Sequence, residues 1–339
     1  MKRIGNLYDK ICTEENIFLA YTNARKGKSK SHGVISFEKD LESNIEEIRN
    51  ELIQGTYRTP EYETFIIHDP KEREIFRLPF KDRVVHHAIM NVLESVWTPL
   101  FISQTYSCIK GKGIHGVLRH LKRDLKDEKR TEYCLKMDIR KFYPSVDHDI
   151  LKDIIRKKIK DVRLLHLLDG IIDSAPGIPI GNYISQFFAN LYLTYFDHWI
   201  KEEKHIRYYY RYADDMVVLG EDKRELHRLL LEIRSYLSAN LKLEIKDNWQ
   251  IFPVQQVSIT DILNSEIEVL DFESGVKTQH GDNRYVVKIK AEGKECKFFT
   301  NSTPIKEALG KIPHEDFPFI TVIRAKKLGM GNSKMYYFT

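Results

Sequence analysis

Cysteine is scarce in this chain of 339 residues, and Cys12, Cys108, Cys134 and Cys296 stand far apart with no Cys-x-x-Cys spacing. That pattern argues against a disulfide framework and a thiolate zinc site, and it points to a reducing, intracellular (cytoplasmic) setting. Long apolar runs are missing too. The opening MKRIGNLYDKICTEEN has no apolar core of the signal-peptide kind. The most apolar long stretch, Tyr183–Ile200, is interrupted by Gln186, Asn190, Asp197 and His198, so a buried helix is expected there and no membrane partner. Strong charge of one sign is absent: 54 Lys/Arg stand against 49 Asp/Glu, a net charge of +5, too mild to establish nucleic-acid binding by itself. No internal repeat or low-complexity tract is present, which excludes a solenoid or a disordered linker protein.

What is present is a soluble, globular composition with local order. Basic residues cluster in RKGKSK (25–30), RHLKRDLKDEKR (119–130) and RKKIK (156–160), which suit either a solvated face or a polyanion. Residues 1–60 read as a polar helical segment. Within it, SFEKDLESNIEEIRNELIQG sets Leu41, Ile45, Ile48 and Leu52 on one helix face, with Gly55 as the stop. YETFIIHDPKEREIFRLP reads as a hairpin turning at Asp-Pro-Lys-Glu, and DRVVHHAIMNVLESVWTPLF as a helix capped by Asp82 and closed near Pro99. YCLKMDI is β-rich and HDILKDIIRKKIKD helical, with Asp147 and Asp149 as cap or first-turn acids. A long helix is expected from about Tyr183 to Glu202. KRELHRLLLEIRSYLSANL is amphipathic, and KLEIKDNWQIFPV is strand-like. Beyond about Pro253 two hairpin patterns, RYVVKIKAEGKECKFFT and PFITVIRAKKLGMGNSKMYYFT, turn at Glu-Gly and at Gly329–Asn332. Between them STPIKEALGKI reads as a short helix with Ser302 as its cap.

Two acidic sites carry the chemistry. In YYYRYADDMVVLG, Asp214 and Asp215 sit side by side between two apolar strands, where a tight turn belongs. Adjacent carboxylates repel unless a cation, a basic side chain or solvent relieves them. In LKMDIRKFYPSVDH, Asp138 ends an apolar strand, and Phe142 and Tyr143 follow. Read blandly, these are a solvated turn and a helix cap. Read together, one carboxylate at a strand end and a pair on a neighbouring hairpin can converge on two magnesium ions, hard cations that need oxygen ligands and drive phosphoryl transfer.

The segments FRLPFKDRVVHHAI, YSCIKGKGIHGVLRHL, KMDIRKFYPSV, GIPIGNYISQFFANLYL, YRYADDMVVL and LKLEIKDNWQIFPV occur in that order between about Tyr62 and Val254. In this the chain resembles a reverse transcriptase. The resemblance implies an α+β right-hand polymerase with fingers and an antiparallel palm sheet. The division is then 1–60 helical, 61–254 fingers and palm, and 255–339 a small β-rich domain, OB-like, in place of a recognisable thumb. It implies RNA-directed DNA synthesis from template RNA, a cDNA primer and dNTPs, with two Mg2+ ions that Mn2+ can replace. By position the catalytic residues and metal ligands are Asp138, Asp214 and Asp215, with Ile139 as a further ligand position. Tyr143, beside Phe142, is the steric gate against a 2′-hydroxyl. Arg73, with Lys71, meets the incoming triphosphate, and Lys246 is either the proton donor to pyrophosphate or a surface lysine. Arg77, Arg83, Tyr212 and Ala213 fall at nucleic-acid-binding positions.

The segment over the nascent base pair places Ile180, Gly181 and Gln186 where most bacterial groups carry Gln, Gly and Pro. That departure resembles the diversity-generating retroelement type. It implies error-prone copying opposite adenine, mutagenic retrohoming and a small basic helical accessory protein. A reverse transcriptase of phage defence, or a catalytically silent binder with the same fold, are the alternatives. Tyr285, Phe298, Phe299, Tyr336 and Tyr337 are candidate base-stacking residues in the tail, or else core.

Overall fold

The computed structural model describes residues 2–68, 72–255, 257–278, 281–327 and 334–339. Lys71, most of the Asp-Pro-Lys-Glu turn and the Gly329–Asn332 turn lie outside the described residues. The chain folds as two units, Met1–Arg130 with Leu135–Ile251, and Thr131–Cys134 with Phe252–Thr339.

The first unit opens with helices α1 (Tyr8–Ile11), α2 (Glu14–Arg25), α3 (His32–Glu38) and α4 (Leu41–Gln54). The expected single helix around residues 36–54 is thus two. In α4, Ile45, Ile48 and Leu52 are buried, and Gly55 ends it at φ +69°, a left-handed position that a side chain would strain. Strands β1 (Glu63–Ile67) and β2 (Arg73–Arg77) form the expected hairpin, with Phe65 opposite Ile75. Helix α5 (Phe80–Trp97) starts directly after Pro79, so Asp82 is not its cap. It lies buried in the first turn, where its carboxylate accepts the Tyr57 hydroxyl at 2.8 Å. Asn16 of α2 fastens α5 by donating to the Ala88 carbonyl at 3.0 Å.

After α6 (Ile114–Asp124) come β3 (Tyr133–Asp138), α7 (His148–Arg156) and α8 (Val162–Ile172). Asp147 caps α7 by accepting the Ile150 amide at 3.1 Å, and Asp149 is in its first turn. The long helix expected from Tyr183 is interrupted. Helix α9 (Tyr183–Tyr192) gives way to α10 (Thr194–His198) and a π-helical turn over Trp199–Glu203. The Thr194 hydroxyl donates to the Asn190 carbonyl at 2.9 Å, a back-bond that bends helices at such a break. Strands β4 (Tyr208–Tyr212) and β5 (Asp215–Gly220), helix α11 (Lys223–Leu241) and β6 (Gln250–Pro253) follow. They complete a sheet of order β4-β5-β3-β6. Of the strand-like stretch after α11, only Gln250–Pro253 is a strand; Ile245 makes an isolated antiparallel bridge to Ile139.

The second unit is β7 (Glu266–Thr278), β8 (Gly281–Ala291), β9 (Lys294–Thr300), α12 (Thr303–Lys311), β10 (Phe319–Lys327) and β11 (Lys334–Phe338). Its sheet has the order β11-β10-β7-β8-β9, antiparallel in each described pair. Strand β7 is the element that sequence reading misses. Among the described residues the sheet is open, with β11 and β9 at its edges, where an OB-like barrel would close. Ile267, Val269, Val287, Ile289, Phe298 and Ile323 fill its core against Ile305 and Leu309 of α12. Each such side chain contributes about 1.5–3 kcal/mol. Phe298, proposed above as a stacking residue, is fully buried and belongs to this core.

Candidate active site

The antiparallel register of β4 and β5 pairs Tyr212 with Asp215, so Ala213 and Asp214 alone make the turn. Ala213 is left-handed at φ +54°, which costs a side-chain-bearing residue about 1 kcal/mol. The carbonyl that this geometry turns inward is held: Arg211 Nη1 donates to the Ala213 oxygen at 3.0 Å. Arg211 is itself fully buried. Its Nε and Nη2 meet the two oxygens of buried Asp197 at 2.8 and 2.6 Å, and its Nη1 also meets Asn190 Oδ1 at 3.0 Å. Asp197 further accepts the Tyr209 hydroxyl at 2.7 Å and the Thr105 hydroxyl at 3.3 Å. A buried ion pair offsets its desolvation only when its remaining donors and acceptors are satisfied, and these are. Sequence reading assigned no role to Arg211, Asp197 or Asn190. The available signal was a charge inside an apolar strand and another inside an apolar helix.

Asp138 ends β3, the neighbour of β5. Its Oδ1 is buried with no hydrogen-bond partner, and its Oδ2 lies 3.7 Å from Lys246 Nζ. Burial, joined by the charges of Asp138 and Asp215, pushes the Asp214 carboxyl up to about 6. Asp138 and Asp214 are therefore brought together, while Asp215 is adjacent and exposed. Among the described residues no three His, Cys, Asp or Glu side chains stand ready as a complete metal cluster. Ile139 is buried, and the bonds flanking its bridge to Ile245 run from Lys246 N to Asp138 O and from Arg140 N to Glu244 O, at 2.8 Å each. In an antiparallel bridge of this kind the bridging residue's own carbonyl turns away from the partner strand, here away from Ile245.

Of the remaining assigned residues, Tyr143 is brought to Asp214 and Arg73 to Tyr143, whereas no contact joins Arg77, Arg83 or Gln186 to the acids among the described residues. Phe142 is buried beneath Tyr143, their rings 5.6 Å apart. Burial and the nearby Cys108 and Asp214 push the Tyr143 hydroxyl up to about 12, against Arg211 and Arg73, which pull it down. Arg73 and Tyr143 thus share one electrostatic neighbourhood. The loop Gly177–Gly181 joins Tyr143 to the β1–β2 hairpin: Ile178 N donates to Tyr143 O at 2.8 Å, and Phe76 N to Ile180 O at 2.7 Å. Gly181, at φ +121°, lies so close to β2 that a Cβ there would stand 2.6 Å from Phe76 O. Ile180 is half-buried and Gln186 exposed on α9. Arg77 is exposed and ion-paired with Glu63, and Arg83 is half-buried on α5, where burial lowers its pKa. Tyr212 is exposed at the turn.

Residues 68–252 match the family described as reverse transcriptase (RNA-dependent DNA polymerase), more than half of the chain. The chain belongs to the reverse transcriptase family. Residues 253–339 match a second family, described only as a domain of unknown function. Among curated proteins it is 25% identical to protein YkfC of Escherichia coli strain K12, a match covering 60% of this chain and 66% of that one. It is 24% identical to the group II intron-encoded protein LtrA of Lactococcus lactis subsp. cremoris, over 58% of this chain and 35% of LtrA. It is 26% identical to nuclear intron maturase 4, mitochondrial, of Arabidopsis thaliana, over 45% of this chain and 21% of the maturase. The matched part therefore falls short of two thirds of each of these relatives. A solved structure of apo telomerase from Candida tropicalis aligns with TM-score 0.46 and 13% identity, over 58% of this chain and 45% of that one. No helix among the described residues is long and apolar enough to cross a membrane.

Proposed function

We propose that this reverse transcriptase is an active RNA-directed DNA polymerase whose palm works with two magnesium ions held by Asp138, Asp214 and Asp215 and the Ile139 carbonyl. The observation that carries the proposal is the Asp138–Asp214 pair: a buried carboxylate oxygen with no partner beside a carboxyl whose charge is disfavoured. Such a pair fits a hard divalent cation, which satisfies the oxygen and removes the repulsion. When bound, the cations neutralise the reacting phosphates and activate the primer 3′-hydroxyl.

The chain's own residues supply the rest. Arg211 and Asp197 fix the turn that presents Asp214. Tyr143 presents a ring edge to the sugar and excludes a 2′-hydroxyl, Arg73 meets the triphosphate, and Lys246, drawn to Asp138 before substrate arrives, is placed to serve the leaving group. The test is extension of a primed RNA template by the purified chain with dNTPs and Mg2+. Template-dependent addition that stops on chelation supports the reading, and no addition with either Mg2+ or Mn2+ would make the chain a silent nucleic-acid binder.

The finer reading is an error-prone enzyme of the diversity-generating type, working on its own template RNA with a small basic helical partner. Ile180 favours it. This residue offers the site a backbone carbonyl, already bonded to Phe76, and an apolar side chain that can neither donate nor accept. Losing one polar constraint on the template lowers discrimination by ~1 kcal/mol, several-fold in error rate. Ile180→Gln is expected to lower misincorporation, most visibly opposite template adenine, with polymerisation kept. Equal error spectra in sequenced cDNA from both active enzymes would point instead to another kind of reverse transcriptase, such as one of phage defence.

A further inference from the structure

The second unit holds a cleft of about 470 Å³ at the start of α12. Arg284 of β8, Lys334 of β11, Phe299 and Tyr336 line it, Tyr336 with one side packed against the core of the unit, and among the described residues no Asp or Glu does. The ion pairs of this unit lie elsewhere, joining Lys277 to Asp282 and Lys290 to Glu268. Arg284 sits over the Phe299 ring, 5.5 Å from its centre, and gives Nη2 to the Phe299 carbonyl at 3.2 Å, yet its Nε is buried with no partner. Ser302 occupies the cap position of α12 but does not cap it: its hydroxyl goes to the Tyr336 carbonyl instead. Two cations with no ion pair among the described residues, beside two partly buried aromatic residues, therefore share one concavity.

We propose that this cleft binds one nucleotide unit of a single-stranded nucleic acid. Its backbone phosphate lies between Arg284 and Lys334, and its base against Tyr336. Guanidinium and ammonium groups without acidic neighbours select a phosphate, and a flat ring accepts any base. Residues 255–339 carry 12 Lys/Arg against 11 Asp/Glu, so the attraction is local to the cleft and not a field of the whole unit. One neutralised phosphate corresponds to a slope of about −0.7 in log K against log salt for a single strand. The site is separate from the palm and does not rest on its chemistry.

The experiment uses the full chain in chelator with a short oligouridylate carrying photoreactive 5-iodouridine. Crosslinks are expected on peptides bearing Phe299 or Tyr336. Arg284→Gln with Lys334→Ala is expected to weaken binding roughly tenfold and to flatten the salt slope by about 0.7. Nucleotide addition at saturating primer–template should be unchanged. Lys334→Ala alone, at an exposed position, carries the test if the Arg284 change lowers the melting temperature. Unchanged affinity, or crosslinks confined to the first unit, overturns the proposal. Binding of UMP or inorganic phosphate as tight as that of the oligonucleotide overturns the strand reading in favour of a small-anion site. Failure of the chain to extend any primer would count against the palm chemistry and leave these binding readouts intact.

Discussion

At the scale of single residues, the site is governed by one unfavourable charge. Asp214 is held where its carboxylate is disfavoured, with a pKa of about 6 against about 3.9 for an unfolded aspartate. The folded state therefore holds more protons than the unfolded chain between those values. Stability falls as pH rises through that window, and the full penalty remains above about pH 6. With partial solvent screening the penalty is about 1–2 kcal/mol. Asp214→Asn should melt higher than the wild type at pH 8 in chelator and equal to it near pH 4. Adding Mg2+ should close the gap at pH 8 by stabilising the wild type alone. Melts that show no gain at pH 8 would mean that the carboxylate is not confined. The placement of Asp214 at a turn was legible because adjacent carboxylates stand between two apolar strands, whereas what relieves their repulsion, a cation, a basic side chain or solvent, is not written in that pattern. Asp82 was misread because a first-turn acid and an N-cap look alike in sequence, and only the fold shows its bond to Tyr57.

At the scale of elements, the β4–β5 turn is anchored from below by a charge pair whose partners are 14 residues apart in sequence. Arg211→Met alone leaves Asp197 buried and uncompensated, at a cost of about 3–5 kcal/mol. Arg211→Met with Asp197→Leu should recover most of that stability, because a packed apolar pair often replaces a buried ion pair without loss. Nucleotide addition should nevertheless stay well below wild type, because nothing then holds the Ala213 carbonyl. Melting and single-nucleotide addition on the full double-mutant cycle separate the two effects; a double variant as active as wild type would reduce the network to a structural role. The hairpins and amphipathic helices were legible from their periodicity. The break after Tyr192 was not, because it depends on a back-bonded Thr194 inside an apolar run. Strand β7 was missed although Ile267 and Val269 alternate inward past Glu266 and Glu268. Register shifts between Val269 and Asp271 and again between Glu273 and Val276 interrupt the pattern.

At the scale of the whole molecule, the chain passes through the second unit twice, at Thr131–Cys134 and from Phe252 onward, so strands β3 and β6 of the four-stranded sheet each run across the division. Asp138, Asp214 and Asp215 lie in the first unit. The order of segments made that unit readable, whereas the open sheet of the second could not be inferred from hairpin signals, which fix neighbours in sequence and not strand order. The account rests on Asp138 and Asp214 doing chemistry and not merely ending strands. The most direct measurement is single-nucleotide addition to a primed RNA template by wild type and Asp138→Asn, with melting curves of both in chelator. The account predicts a loss of at least ~3 kcal/mol in transition-state stabilisation, about a hundredfold in rate, in a variant that melts no lower than the wild type. Near wild-type addition by a folded Asp138→Asn would contradict it.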